Sequence, residues 1–88
     1  MTSAEILLPY LKIDLGITTK AYDDRLIQYL QHAQIEIQRE GITLNCQDDQ
    51  LVVMYAAWMW RKRDTGEGMP RMLRYALNNR LFSAKMVT

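Results

Sequence analysis

The ten residues Leu51-Val52-Val53-Met54-Tyr55-Ala56-Ala57-Trp58-Met59-Trp60 contain no charged side chain. Helical spacing distributes them around the whole circumference, so burying one stripe cannot satisfy them and such a helix needs cover on several sides. In a chain of 88 residues that demand is severe, because a small domain has few elements with which to cover anything. Two arrangements meet it: the helix is the central member of a monomeric bundle, or neighbouring subunits supply part of the cover. Tyr55, Trp58, Met59 and Trp60 suit a seam between subunits, since Tyr and Trp join a large apolar surface to a polar tip. The run is about half the roughly 20 residues that a membrane helix needs, and no charged stretch precedes an apolar leader core, so neither a span nor a leader is expected.

The rest of the chain reads as further helices. Thr2-Ser3-Ala4-Glu5 has capping-box spacing, and Ile6, Leu7, Tyr10 and Leu11 follow as one apolar face of a first helix, with Gly16 placed to end it. Pro9 predicts a kink there, or a later start to the regular part. From about Tyr22, Asp23 and Asp24 suit a cap and first turn, and Leu26, Leu30, Ala33 and Ile37 repeat at helical spacing up to Glu40, where Gly41 stops a long second helix. Residues 42–47 connect it to the apolar helix, which spans about residues 48–63 with Asn45 or Asp48 as its cap. Residues 64–68 compose a flexible loop, Pro70 opens a fourth helix with Leu73, Ala76, Leu77 and Leu81 inward, and residues 83–88 form a C-terminal tail. The expected fold is therefore all-α, a single compact bundle of about four helices.

The formal charge of +1 conceals a division. Residues 1–60 carry four basic side chains against eight acidic ones, a net of −4, whereas residues 61–88 carry seven against two, a net of +5. Such polarity serves either nucleic-acid binding or the meeting of one subunit's acidic part with the basic part of the next. Candidates for contact with DNA or with acidic surface are Arg61, Lys62, Arg63, Arg71 and Arg74. A sequence-reading helix-turn-helix is disfavoured, because the glycine-rich turn is long and the fourth helix offers few short polar side chains early on.

Candidates for chemistry are sparse. His32 and Cys46 fall on different elements, His32 as a surface residue and Cys46 in a loop or at an edge, and one cysteine permits no internal disulfide. Asp23-Asp24 and Asp48-Asp49 are neighbours that diverge by about 100° on a helix, which suits capping better than chelation. Gly66 and Gly68 lack both the preceding strand and the following Lys-Ser/Thr of a phosphate loop. No catalytic residue, metal or cofactor is expected, and the chain reads as a non-enzyme.

Taken together, Tyr10-Leu11-Lys12-Ile13-Asp14, Asp23-Asp24-Arg25-Leu26-Ile27, Val53-Met54-Tyr55-Ala56-Ala57-Trp58 and the segment Met69-Pro70-Arg71-Met72-Leu73-Arg74-Tyr75-Ala76-Leu77-Asn78-Asn79-Arg80-Leu81 resemble the head-tail connector family of long-tailed bacteriophages, also described as head-completion or adaptor proteins. The likeness covers nearly the whole chain and consists of packing and assembly signatures, so it transfers no active residue. It implies a structural virion protein, made in the bacterial host cytoplasm and placed at the head-tail junction. It further implies a homo-oligomeric ring that matches the twelvefold portal, contacts the portal protein and the tail completion or head-tail joining protein, and leaves a channel where passing DNA touches it nonspecifically. The tail residues Ser83, Lys85, Met86 and Val87 are, on the same resemblance, the portal-docking segment. The alternative reading is a small helical DNA-binding regulator that uses the basic C-terminal half.

Overall fold

A computed structural model describes residues 3–42, 44–45, 48–66 and 68–87, with the side chains of 64, 65 and 84–87 left aside. Four helices follow in order: α1 (Ala4–Leu15), α2 (Asp23–Arg39), α3 (Asp49–Thr65) and α4 (Arg71–Val87). The all-α expectation holds. Helices α1, α2 and α3 pack on one another pairwise, while α4 packs mainly on α3, and the molecule measures 43 × 27 × 18 Å.

The core is built from α2 outward. Leu26, Leu30, Ala33 and Ile37 are all completely buried, as their spacing predicts, and each buried leucine or isoleucine contributes about 1.5–3 kcal/mol through the apolar surface it removes from water. Against them lie Leu7 and Leu11 of α1 and Val52, Ala56 and Ala57 of α3. The α2–α3 connection also enters the core through Ile42 and Leu44. This explains how so apolar a helix as α3 survives in a small chain: α1, α2 and α4 surround it, and Leu51, Val52, Val53, Tyr55, Ala56, Ala57 and Met59 are buried without any second subunit.

Several local expectations are corrected. The apolar face of α1 consists of Ala4, Leu7 and Leu11, whereas Ile6 and Tyr10 point outward at 61% and 62% exposure. Ser3 stands at the N-cap of α1 without a side-chain capping bond, and Thr2 lies outside the described residues. Pro9 is accommodated inside α1, where it leaves the Glu5 carbonyl without its helical donor on an exposed face that water can reach. Gly16 does end that helix, at φ 72°, with Gly16 N–H donating to Ile13 O and Ile17 N–H to Lys12 O in the paired bonds of a Schellman turn.

Asp23 and Asp24 stand in the first turn of α2, Asp48 at the N-cap of α3 and Asp49 in its first turn, as expected, but the capping bonds themselves do not form. Neither Tyr22 nor Asp48, the cap positions of α2 and α3, makes a side-chain capping bond. Asp23 instead accepts from Lys12 Nζ at 2.8 Å and ties α2 to α1. Asp48, 5% exposed at its side chain, accepts from Arg80 Nε at 2.7 Å and ties α4 to the start of α3, while its other oxygen accepts Asn45 N–H at 3.0 Å.

Helix α3 runs two residues further than the composition indicates, to Thr65, and ends on Gly66 at φ 68°, so the turn to α4 lies two residues later than expected, at residues 66–70. Helix α4 also continues through Val87, so residues 83–87 are helical and not a structureless tail. No glycine or proline occurs after Pro70, and Leu, Ala, Lys and Met all sustain a helix. Cys46 lies outside the described residues.

Candidate interaction surface

The side chains proposed for a subunit seam are largely consumed within the chain. Tyr55 and Met59 are buried at 8% and 7% exposure. Trp58 is half-buried, stands edge-on to Tyr55 at 5.5 Å, and donates its indole N–H to Gly68 O at 3.2 Å, which pins the α3–α4 turn. Trp60, also half-buried, meets Tyr22 at 5.3 Å and Tyr29 at 5.9 Å in edge-to-face contacts that close the start of α2 over α3. Burial, then the charges of Glu36 and Glu40, hold the Tyr55 hydroxyl above its ordinary pKa, with Arg74 opposing them.

The basic residues do not form one patch either. Arg61, Lys62 and Arg63 occupy successive helical positions and so fan out around α3. Arg61 reaches α1, donating to Asp14 O at 3.4 Å with the Asp14 carboxylate at 3.8 Å. Lys62 Nζ sits 4.3 Å from the centre of the Trp58 ring, and the Arg63 guanidinium 3.8 Å from that of Trp60, both cation–π contacts. Arg71 and Arg74 differ: both are exposed on the first turns of α4, whose first turn contains no acidic residue. Ser83 is exposed, while Lys85 and Met86 belong to the helix with Val87, their side chains outside the description.

What remains open is a surface that the sequence reading missed. Ile6, Tyr10 and Ile13 line the outer face of α1 at 61%, 62% and 79% exposure. Met72, Tyr75 and Phe82 line the outer face of α4, opposite buried Leu73 and Leu77, at 77%, 58% and 65% exposure. Ile6, Tyr10 and Ile13 recur at intervals of four and three and Met72, Tyr75 and Phe82 at three and seven, which puts each set on one face of its helix. The signal was present as a second apolar periodicity in each helix, masked by the stronger one that faces the core. Two open grooves adjoin these stripes, one with Tyr10, Ile13, Asp14 and Val53 on its walls, the other with Met54, Ala57, Pro70 and Met72.

Comparison of the chain with family models, curated proteins and solved structures finds no match.

A third groove, of about 290 Å³ between α2 and α3, is walled by Tyr29, His32, Glu36, Tyr55, Trp58 and Lys62. On its wall His32 Nε2 lies 3.5 Å from Glu36, which Arg39 also approaches at 3.2 Å, and Lys62 lies over the Trp58 ring. No three His, Cys, Asp or Glu side chains among the described residues converge on a point that would hold a metal ion, and among them no helix is long and apolar enough to cross a membrane. Apolar contact area flanked by charge is therefore what the described surface chiefly offers.

Proposed function

We propose that this chain is a structural, self-assembling protein of the head-tail connector kind: a subunit of a ring that joins a phage portal to the tail completion proteins and leaves a central passage for DNA. The observation that carries the reading is the pair of outward apolar stripes, on α1 and on α4, in a molecule whose own core is already closed. Large apolar side chains exposed in register on two helices cost solubility unless another surface covers them. The four-helix all-α fold and the resemblance of the α1 and α4 segments to connector proteins support the same reading. Assembly then proceeds by burial of those stripes, with the opposite charges of the two parts of the chain guiding the approach.

Sedimentation velocity over a range of concentrations, with electron microscopy of the same samples, tests this. Closed particles whose mass is a multiple of the 10.3 kDa chain greater than two are expected. A chain that stays monomeric overturns the proposal. The exposed Arg71 and Arg74 favour, as a second reading, a DNA-binding regulator, and a stable dimer that shifts DNA with strong salt dependence would establish it instead.

A further inference from the structure

We infer that the partner of the α4 stripe is a second copy of this chain, met head to tail, with the outer face of α4 on one copy seated on the outer face of α1 on the next. The inference rests on the self-assembly reading above and adds which surfaces meet.

Spacing is the first ground. Ile6, Tyr10 and Ile13 follow at intervals of four and three, and Met72, Tyr75, Asn79 and Phe82 at three, four and three, which is the alternation of a coiled-coil seam. The inward faces of both helices are already occupied, by Leu7 and Leu11 in α1 and by Leu73 and Leu77 in α4. Each helix thus carries a second seam with no partner among the described residues. Asn79, exposed in the middle of the α4 series, is the kind of polar seam residue that fixes register.

Charge selects the pairing. Helix α4 contains Arg71, Arg74, Arg80 and Lys85 and no acidic residue. Two copies of α4 laid together, in either direction, would set like charges side by side. Arg71 and Arg74 also stand at the helix N-terminus, where a positive charge opposes the macrodipole, so they weaken α4 unless an acidic partner meets them. Helix α1 presents such a partner: Glu5 is exposed beside its stripe, and so is Asp14, which Arg61 of the same chain approaches only to 3.8 Å, whereas the one basic residue of α1, Lys12, is turned to Asp23 of α2. Nucleic acid would satisfy the arginines but would leave Met72 and Phe82 exposed to water. The α1 face of a neighbour satisfies both.

Because the two meeting surfaces differ, each copy offers one of each kind, and association does not stop at two. A mixing experiment reads this directly. Ile13→Asp disables the α1 face and Phe82→Asp the α4 face, both at exposed positions, and circular dichroism checks that each variant keeps its helices. In sedimentation velocity the unaltered chain is expected above dimer mass, each variant alone at monomer mass, and the equimolar mixture as a one-to-one dimer, since one variant lends an intact α4 and the other an intact α1. Arg71→Glu with Arg74→Glu is expected to reduce the unaltered assembly to monomer as well.

Variants that assemble like the unaltered chain overturn this pairing and leave the ring reading standing. So does Ile13→Asp forming a dimer alone, which would mean α4 pairs with α4. Open filaments in place of rings keep the pairing and defeat the ring. An unaltered chain that is monomeric at every concentration defeats both, and arginine variants that lose DNA binding without change of mass assign the α4 face to nucleic acid.

Discussion

The Asp48 carboxylate is shut away from solvent and held on one oxygen by Asn45 N–H and on the other by Arg80, a partner 32 residues along the chain, so one of its two supports depends on the docking of α4. Removing one member of a buried pair strands the other, at about 3–5 kcal/mol when both are fully enclosed. Arg80 is one-quarter exposed, which lets solvent screen the remaining charge, and Arg80→Ala is therefore expected to cost about 1–3 kcal/mol in urea unfolding. Tyr55 gives a second measurable effect. Its folded pKa lies above the unfolded value of 10.0, so its contribution is fully present below that pH and is lost as pH rises through the folded pKa. Stability is expected to fall above about pH 10, and Tyr55→Phe should lessen the fall in alkaline urea titrations. Residue types alone could place Asp23 and Asp48 near helix starts but could not find Lys12 and Arg80, because cross-helix partners follow from packing and not from neighbours in sequence. The fanning of Arg61, Lys62 and Arg63 around α3, by contrast, was implicit in the 100° step of a helix.

Helix α2 was legible because one face is chiefly apolar and the other chiefly polar: Leu26, Leu30, Ala33 and Ile37 make one stripe, Ile27 and Tyr29 flank it, and only Ile35 stands on the outward side. Helix α1 was not, since Ile6-Leu7 and Tyr10-Leu11 offer two adjacent faces, and the choice of the Leu7-Leu11 side depends on where α2 and α3 lie. The end of α4 was misjudged because nothing in residues 83–87 breaks a helix, and position near the end of the sequence is a weak reason to expect irregular backbone. Pro9 permits a test at this scale. It occupies an exposed site within α1 and withholds an N–H from the Glu5 carbonyl, so Pro9→Ala is expected to raise stability by about 1–3 kcal/mol, measured by thermal unfolding. An unchanged or lowered melting temperature would mean that the rigidity proline gives the unfolded chain outweighs the missing bond.

As a whole, the molecule is three mutually packed helices with a fourth attached along one side. The apolar circumference of α3 foretold cover on several sides, and the sequence left open whether that cover came from within. It comes from within, which moves the candidate contact surface from the tryptophans to the outer faces of α1 and α4, where only solvent exposure in three dimensions distinguishes a second apolar stripe from a first. The unequal packing predicts unequal protection. Helix α4 is held by Leu73, Leu77, the half-buried Leu81 and the Asp48–Arg80 pair, so its amides are expected to exchange with solvent deuterium sooner than those of α2, and assembly should slow the exchange of α4 and α1 above all. Equal protection of α2 and α4 in the isolated chain would contradict this.

The two indoles are placed at different joints, Trp58 against the carbonyl of Gly68 in the α3–α4 turn and Trp60 between Tyr22 and Tyr29 at the start of α2. Each also lies under a cation of its own, Lys62 or Arg63. The chain therefore contains two separate fluorophores: with Trp60→Phe the remaining emission follows the swing of α4, and with Trp58→Phe it follows the opening of the α2–α3 junction, so the order in which those joints yield during unfolding or docking is readable as colour and intensity without any label.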